Sequence, residues 1–189
     1  DRLDATLVHI STDHVFGGTD PTREHGFRED EPIGPVNEYG RSKLAGERAV
    51  QASGAQHLIL RTSWVYAATG KNFLVTIKRL AAERDELKIV ADQIGAPTWC
   101  RDIATATATL IARMAADGNA RNLSGLYNLT AQGSTSWHDF AAAIIAHSAG
   151  ARSKPPRSGS GSPRPATWRR PRRINPRRAG AVPGFAPRK

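Results

Sequence analysis

At 189 residues the chain can bury one good core, and length alone suggests one domain or a little more. Its net charge of +10 hints at a nucleic-acid partner until the charge is located: residues 151–189 hold 12 Lys and Arg and no acid, which leaves 15 basic against 17 acidic side chains in residues 1–150. A single cysteine, Cys100, excludes an internal disulfide and a cysteine metal cluster and suits a cytoplasmic protein, no apolar run approaches the ~18 residues of a membrane span, and the opening DRLDATL has no signal-peptide form.

In chain order, Leu7 to Ser11 is a short apolar run that reads as a buried parallel strand, and it delivers Ser11 and Thr12 to its C-terminal end. Open α/β sheets place their ligands at such ends. Gly17 to Asn37 is rich in Gly, Pro and charge and reads as a long loop of the kind that carries function. A helix is predicted from Asn37 or Glu38 through Tyr39, Lys43, Leu44, Glu47 and Val50, with its stop at Ser53-Gly54. His57 to Arg61 is a second apolar strand, and strand, helix, strand in this order predicts a βαβ unit with a parallel sheet.

Thr62 to Tyr66 follows at the end of that strand, and Phe73 to Arg84 has the apolar spacing of an amphipathic helix. Leu87 to Val90 reads as a short strand, Asp92 to Thr98 as a turn-forming loop, and Asp102 as the cap or first-turn acid of a helix to about Ala116. Leu126 to Leu129 is another short strand, and Ser136 opens a last helix that ends at Gly150. The remainder, residues 151–189, holds eight of the twelve prolines and only positive charge, so it is expected to be a disordered tail. Arginine- and proline-rich strings are what high-GC coding sequence gives out of frame, and the tail reads either that way or as a basic arm.

Tyr39 and Lys43 are four apart on the predicted helix and share one face, so the ammonium can sit beside the phenol. With Thr12 at a strand end, these residue types suit delivery of a proton to an oxygen that is becoming an alkoxide. A tyrosine titrates near ~10 and is a poor acid at neutral pH until a nearby cation stabilises its anion. The pattern Y-x-x-x-K alone also describes a solvated helix face; the S-T-D strand end ahead of it turns the reading toward catalysis. Cys100, His138 and His147 have no partners at ligand spacing and predict no metal site.

HISTDHVFGG, EDEPIGPVNEYGRSKLAGE, LILRTSWVY and DQIGAPT together resemble the dTDP-4-dehydrorhamnose reductase family of extended short-chain dehydrogenases/reductases, over roughly residues 7–149. The resemblance implies a Rossmann-type α/β fold with a small substrate-binding region, and NADPH-dependent reduction of the 4-keto group of dTDP-4-dehydro-L-rhamnose. It makes Tyr39 the general acid, gives Lys43 the task of stabilising its anion and holding the nicotinamide ribose, and has Thr12 hydrogen-bond the reacting oxygen. Ser11 joins Tyr39 and Lys43 as a cofactor contact; Thr12, Asp13, His14 and Trp64 face the sugar. Many relatives carry tyrosine where this chain has His14, which bears on sugar choice. Asn72, Gly95, Pro97 and Thr98 match positions that shape the nucleotide-sugar pocket or its loop, with turn chemistry as the plain alternative for Gly95 and Pro97, as core packing is for Trp64.

The resemblance leaves NADH as an alternative cofactor and leaves magnesium and a homodimer open; the basic tail is all that speaks for nucleic acid. No glycine-rich G-x-x-G-x-x-G turn occurs. Residues 1–150 therefore read as a partial NAD(P)-binding Rossmann-like domain with substrate-binding elements, the C-terminal two-thirds of a reductase, expected by itself neither to hold NADPH nor to turn over. The rival readings are a reductase or epimerase for another nucleotide sugar and a non-catalytic, cofactor-sensing relative.

Overall fold

The computed structural model describes residues 5–17, 26–116 and 123–149. The expected tail, the expected helix end at Gly150 and part of the Gly17–Asn37 loop lie outside these residues. The described chain forms two compact units, one from residues up to 63 with 102–130, the other from 64–101 with residues from 131 onward.

In the first unit β1 (Leu7–Thr12) leads through a 3₁₀ turn at Asp13–Val15 to α1 (Glu38–Ala52) and then to β2 (His57–Thr62). β1 pairs in parallel with β2, Thr12 opposite Thr62, and β2 pairs in parallel with a later strand, Gly125–Asn128. The expected βαβ unit is present. β2 is the middle strand, and Leu58, Ile59 and Leu60 are wholly buried. Their alternation divides two packing faces, since Leu58 and Leu60 meet Ala106, Leu110 and Met114 whereas Ile59 meets Val50 of α1 and Leu126. Each such side chain contributes about 1.5–3 kcal/mol on leaving water.

α1 starts where Asn37 caps it, its side chain accepting from the Gly40 N–H at 2.7 Å. The helix then runs back along β1: Gly40 lies against the His14 carbonyl, Lys43 bonds the Ile10 carbonyl, and Gly46 lies against the His9 ring. Val15, Phe16 and Leu44 close the helix onto the 3₁₀ turn, with Phe27 stacked on Phe16.

The second unit holds β3 (Val65–Tyr66), α2 (Phe73–Glu83), β4 (Ile94–Gly95) and β5 (Thr98–Trp99). α3 (Cys100–Ala116) then leads back to the first unit and β6 (Gly125–Asn128), and β7 (Thr135–Ser136) and α4 (Trp137–Ala149) complete the second. β3 pairs in parallel with β5, whereas β4 and β7 are antiparallel. Ile77 of α2 packs with Phe140, Ala141 and Ile144 of α4, and Phe73, Trp137 and Tyr66 extend that cluster.

Two sequence expectations are corrected here. Leu87–Val90 is not a strand: Leu87 and Ile89 pack into the aromatic cluster and the Val90 carbonyl accepts from His138 N, so the apolar run serves packing without a ladder partner. The Asp92–Thr98 stretch is more than a loop, because β4 and the start of β5 lie in it. Asp102 stands in the first turn of α3, as expected, where burial raises its carboxyl pKa above the ordinary value.

Candidate active site

Thr12 ends β1 and caps the 3₁₀ turn: its hydroxyl accepts from His14 N at 3.2 Å and donates to Asp13 Oδ1 at 3.1 Å. The other carboxylate oxygen of Asp13 accepts from the Ser63 hydroxyl at 2.6 Å. Thr12, Asp13 and Ser63 thus form one short chain of hydrogen bonds at the C-terminal ends of β1 and β2, with Thr12 buried.

The first turn of α1 brings its own group to this end. The Tyr39 ring meets the His14 ring edge-on, centroids 5.6 Å apart, and Asn37 Nδ2 donates to His14 Nδ1 at 2.9 Å. Tyr39 is 53 % exposed, so its phenol can meet a ligand. One turn on, the Lys43 ammonium donates to the Ile10 carbonyl at 2.8 Å, which spends one of its three donors and ties α1 to the strand that carries Thr12. The sequence-predicted Tyr39, Lys43, Asp13, His14 and Thr12 are therefore gathered along one strand end.

Gly40 makes this approach possible. A Cβ there would lie 2.2 Å from the His14 carbonyl oxygen and 2.9 Å from Pro35 Cβ. Gly40→Ala is expected to push the first turn of α1 off the 3₁₀ turn, costing about 1–3 kcal/mol as overpacking does and displacing the adjacent Tyr39; denaturant unfolding and the turnover of the same sample measure both.

Ser11 stands apart from this group. Its buried hydroxyl donates to Glu47 Oε1, so its side chain serves α1. Glu47 also accepts from Arg61 Nε at 2.9 Å and Arg61 Nη2 at 2.7 Å, and the two are 1 % and 3 % exposed. The Arg61 guanidinium lies over the Phe16 ring, 4.9 Å from its centroid. Sequence reasoning passed over this pair and Ser63, and took Asn37 as a helix start without its bond to His14. The available signal was Arg61 itself, a charge in a strand otherwise buried on both faces, which requires a partner.

In the second unit Trp64 stacks on Trp137 with ring centroids 3.5 Å apart and planes 7° apart, so one indole face is covered. Its φ of 43° is left-handed, a strained conformation for a bulky residue that neighbours must hold in place. Gly95 lies against the same indole; a Cβ there would come within 2.3 Å of Trp64 Cε2. Gly95→Ala is expected to destabilise the second unit by about 1–3 kcal/mol, read as a lower denaturant midpoint in tryptophan fluorescence.

Asn72 caps α2 through Val75 N and donates to the Thr69 carbonyl, and the buried Thr98 hydroxyl donates to the Ala96 carbonyl and accepts from Ala131 N. Both do turn and cap work. A cavity of about 650 Å³ opens between α2 and the 84–93 segment, with Phe73, Trp137, Arg84 and Lys88 among its lining residues. Among the described residues no group of three or more His, Cys, Asp or Glu could hold a metal, and no helix is long and apolar enough to cross a membrane.

Comparison with known proteins gives three kinds of match. The family model described as RmlD substrate binding domain matches residues 1–178. A dTDP-4-dehydrorhamnose reductase of Burkholderia thailandensis is 52 % identical over 146 residues, covering 77 % of this chain and 48 % of that protein. One from Shigella flexneri is 48 % identical over 144 residues, 76 % of this chain and 46 % of that protein. The crystal structure of dTDP-4-dehydrorhamnose reductase from Bacillus anthracis in complex with NADP superposes with a TM-score of 0.67 at 41 % identity, over 76 % of this chain and 47 % of that one. The chain thus spans about half the length of the curated relatives it matches.

Proposed function

Because the chain belongs to the RmlD substrate-binding-domain family, with a Rossmann-type α/β fold, we propose that it reduces the 4-keto group of dTDP-4-dehydro-L-rhamnose to dTDP-L-rhamnose. The observation that carries this is the exposed Tyr39 phenol beside the end of β1, one helical turn from a lysine tied to the same strand. The relative of known structure binds NADP, and NADPH supplies the hydride to C4 when bound. The residues present fit its nicotinamide half: Tyr39 is exposed, and Lys43 keeps two ammonium donors for a ribose hydroxyl and the phenol. The pyrophosphate half calls for backbone donors of a glycine-rich turn, and no G-x-x-G-x-x-G occurs in the 189 residues.

Tyr39 gives its phenolic proton to O4 as that oxygen gains charge. Lys43 stabilises the phenolate that remains. Thr12 turns its hydroxyl proton from Asp13 to the reacting oxygen, while the His14 N–H, still donating to the threonine oxygen, keeps it in place. His14, fixed by Asn37 through Nδ1, has Nε2 left for a sugar hydroxyl. A cytoplasmic setting goes with a nucleotide-sugar substrate of this kind.

Taken by itself, the cavity of the second unit offers a nucleoside diphosphate the aromatic surface of Phe73 and Trp137 and the cations of Arg84 and Lys88, with Glu86 also in its lining. Replacing both cations with alanine is expected to weaken dTDP binding about tenfold, or about 1.4 kcal/mol, by calorimetric titration. The reaction itself is tested by joining the chain to a glycine-rich cofactor-binding turn, incubating that protein with NADPH and the keto sugar, and following loss of NADPH absorbance together with product. Consumption of NADPH with a different keto sugar and none with this one would move the assignment to another nucleotide-sugar reductase, a choice on which His14 bears.

A further inference from the structure

Tyr39, Lys43 and Glu47 follow one another at four-residue intervals on α1, so they lie along one stripe of the helix. The first two are the groups assigned to proton delivery. The third points into the core, where its carboxylate accepts three hydrogen bonds from two strands: one from Ser11 of β1 and two from Arg61 of β2. Ser11 immediately precedes Thr12, and Arg61 immediately precedes Thr62, the register partner of Thr12. A single carboxylate therefore measures the position of the helix against both strands at the end where the site lies.

We propose that Glu47 is a positioning residue: through Ser11 and Arg61 it fixes how far α1 lies along β1, and so where Tyr39 and Lys43 stand relative to Thr12. The inference rests on the catalytic assignment of Tyr39 and Lys43. The Asn37–His14 bond and the close approach of Gly40 to the His14 carbonyl hold the first turn of α1 to the 3₁₀ turn, whereas Glu47 alone among the ties described above bonds both strands. Val50, Ile59, Leu126 and the Leu44 contacts are apolar and non-directional, so a slide of one residue, about 1.5 Å along the helix axis, leaves much of their burial intact. Lys43 reaches Ile10 through a long flexible stem. The same slide breaks a two-pronged guanidinium–carboxylate pair, whose donors and acceptors match in one geometry.

Energetics point the same way. A buried ion pair gives little net stability compared with apolar side chains of similar volume, because desolvation offsets most of its attraction. At 1 % and 3 % exposure Glu47 and Arg61 carry that cost in full. What the pair supplies, and an apolar pair does not, is a direction and a distance.

The test replaces the pair by apolar residues in the full chain, Glu47→Leu with Arg61→Met, and separately makes Ser11→Ala, which cuts the β1 tie and leaves the ion pair in place. Three quantities are read: thermal unfolding, the NMR cross-peaks between the His14 and Tyr39 rings, and turnover with the KM for NADPH. The expected result is folded protein with the ring cross-peaks lost or several-fold weaker. With the chain joined to a glycine-rich cofactor turn, turnover falls about 10-fold to 10²-fold, in line with misplacement by about an ångström, while KM changes little. Parent ring cross-peaks in a folded variant overturn the inference whatever the turnover, and should the double variant not fold, Ser11→Ala decides by the same cross-peaks. Tyr39→Phe assayed alongside separates the two readings: parent turnover there removes the catalytic assignment, and the cross-peaks still decide the positioning.

Discussion

In a protein that also carries the glycine-rich cofactor turn, Tyr39→Phe is expected to lower turnover by about 10² or more, the usual worth of a positioned general acid, and to leave NADPH affinity nearly unchanged. The substitution removes one oxygen and keeps the ring, so the edge-on contact with His14 and the helix cap at Asn37 remain. The ring is more than half exposed, and no hydrogen bond to its hydroxyl occurs among the described residues, so the fold loses little. Lys43→Ala differs in kind, because it removes both a cation and the bond to the Ile10 carbonyl; turnover and cofactor affinity should fall together. Steady-state rates at saturating NADPH, with the affinity measured separately, tell the two apart. Parent turnover in Tyr39→Phe would require another proton donor at this strand end.

The largest stability effect is expected from Arg61→Ala. It deletes both bonds to Glu47 and the guanidinium over Phe16, and it leaves a carboxylate buried with the Ser11 hydroxyl as its remaining partner. Breaking one side of a buried pair costs about 3–5 kcal/mol, because the surviving charge is uncompensated. That is a large part of the 5–15 kcal/mol typical of a whole domain. Denaturant unfolding measures the loss, and Glu47→Gln added to Arg61→Ala should recover part of it by removing the stranded charge. A midpoint in Arg61→Ala equal to that of the parent would mean that water reaches Glu47 freely.

Elements with a long period were legible in the sequence. α1 was readable from Leu44, Glu47 and Val50 together with a capping Asn37 and a stop at Ser53-Gly54, and the structure ends it at Ala52 with Ser53 as cap. β1 and β2 were legible because buried parallel strands are short apolar runs. β3, β4, β5 and β7 were not, since strands of two residues are too short to show alternation. Leu87–Val90 misled for the opposite reason: its apolar content is real, but it serves the cluster around Ile77 and Phe140. Thr12, Tyr39 and Lys43 could be singled out as candidates because proton delivery restricts residue type and spacing. Glu47 was visible only as one helix residue among several, because its partner is fourteen residues away and nothing local marks a carboxylate as buried. Asn72 and Thr98 have cap and turn roles that the resemblance, which gave them to the pocket or its loop, did not offer.

The stacked indoles of Trp64 and Trp137 have an optical consequence. Two parallel rings with centroids 3.5 Å apart couple their electronic transitions, so the pair should give a split circular-dichroism band that single tryptophans do not. The described tryptophans, Trp64, Trp99 and Trp137, all belong to the second unit, and Trp168 lies outside the described residues. The couplet is therefore a reporter of one unit alone. Far-ultraviolet signal from α1, α3 and the three-stranded sheet adds the first unit. If the couplet and the backbone signal melt at one temperature, the two units unfold as a single cooperative body; if the couplet goes first, they hold separate stabilities.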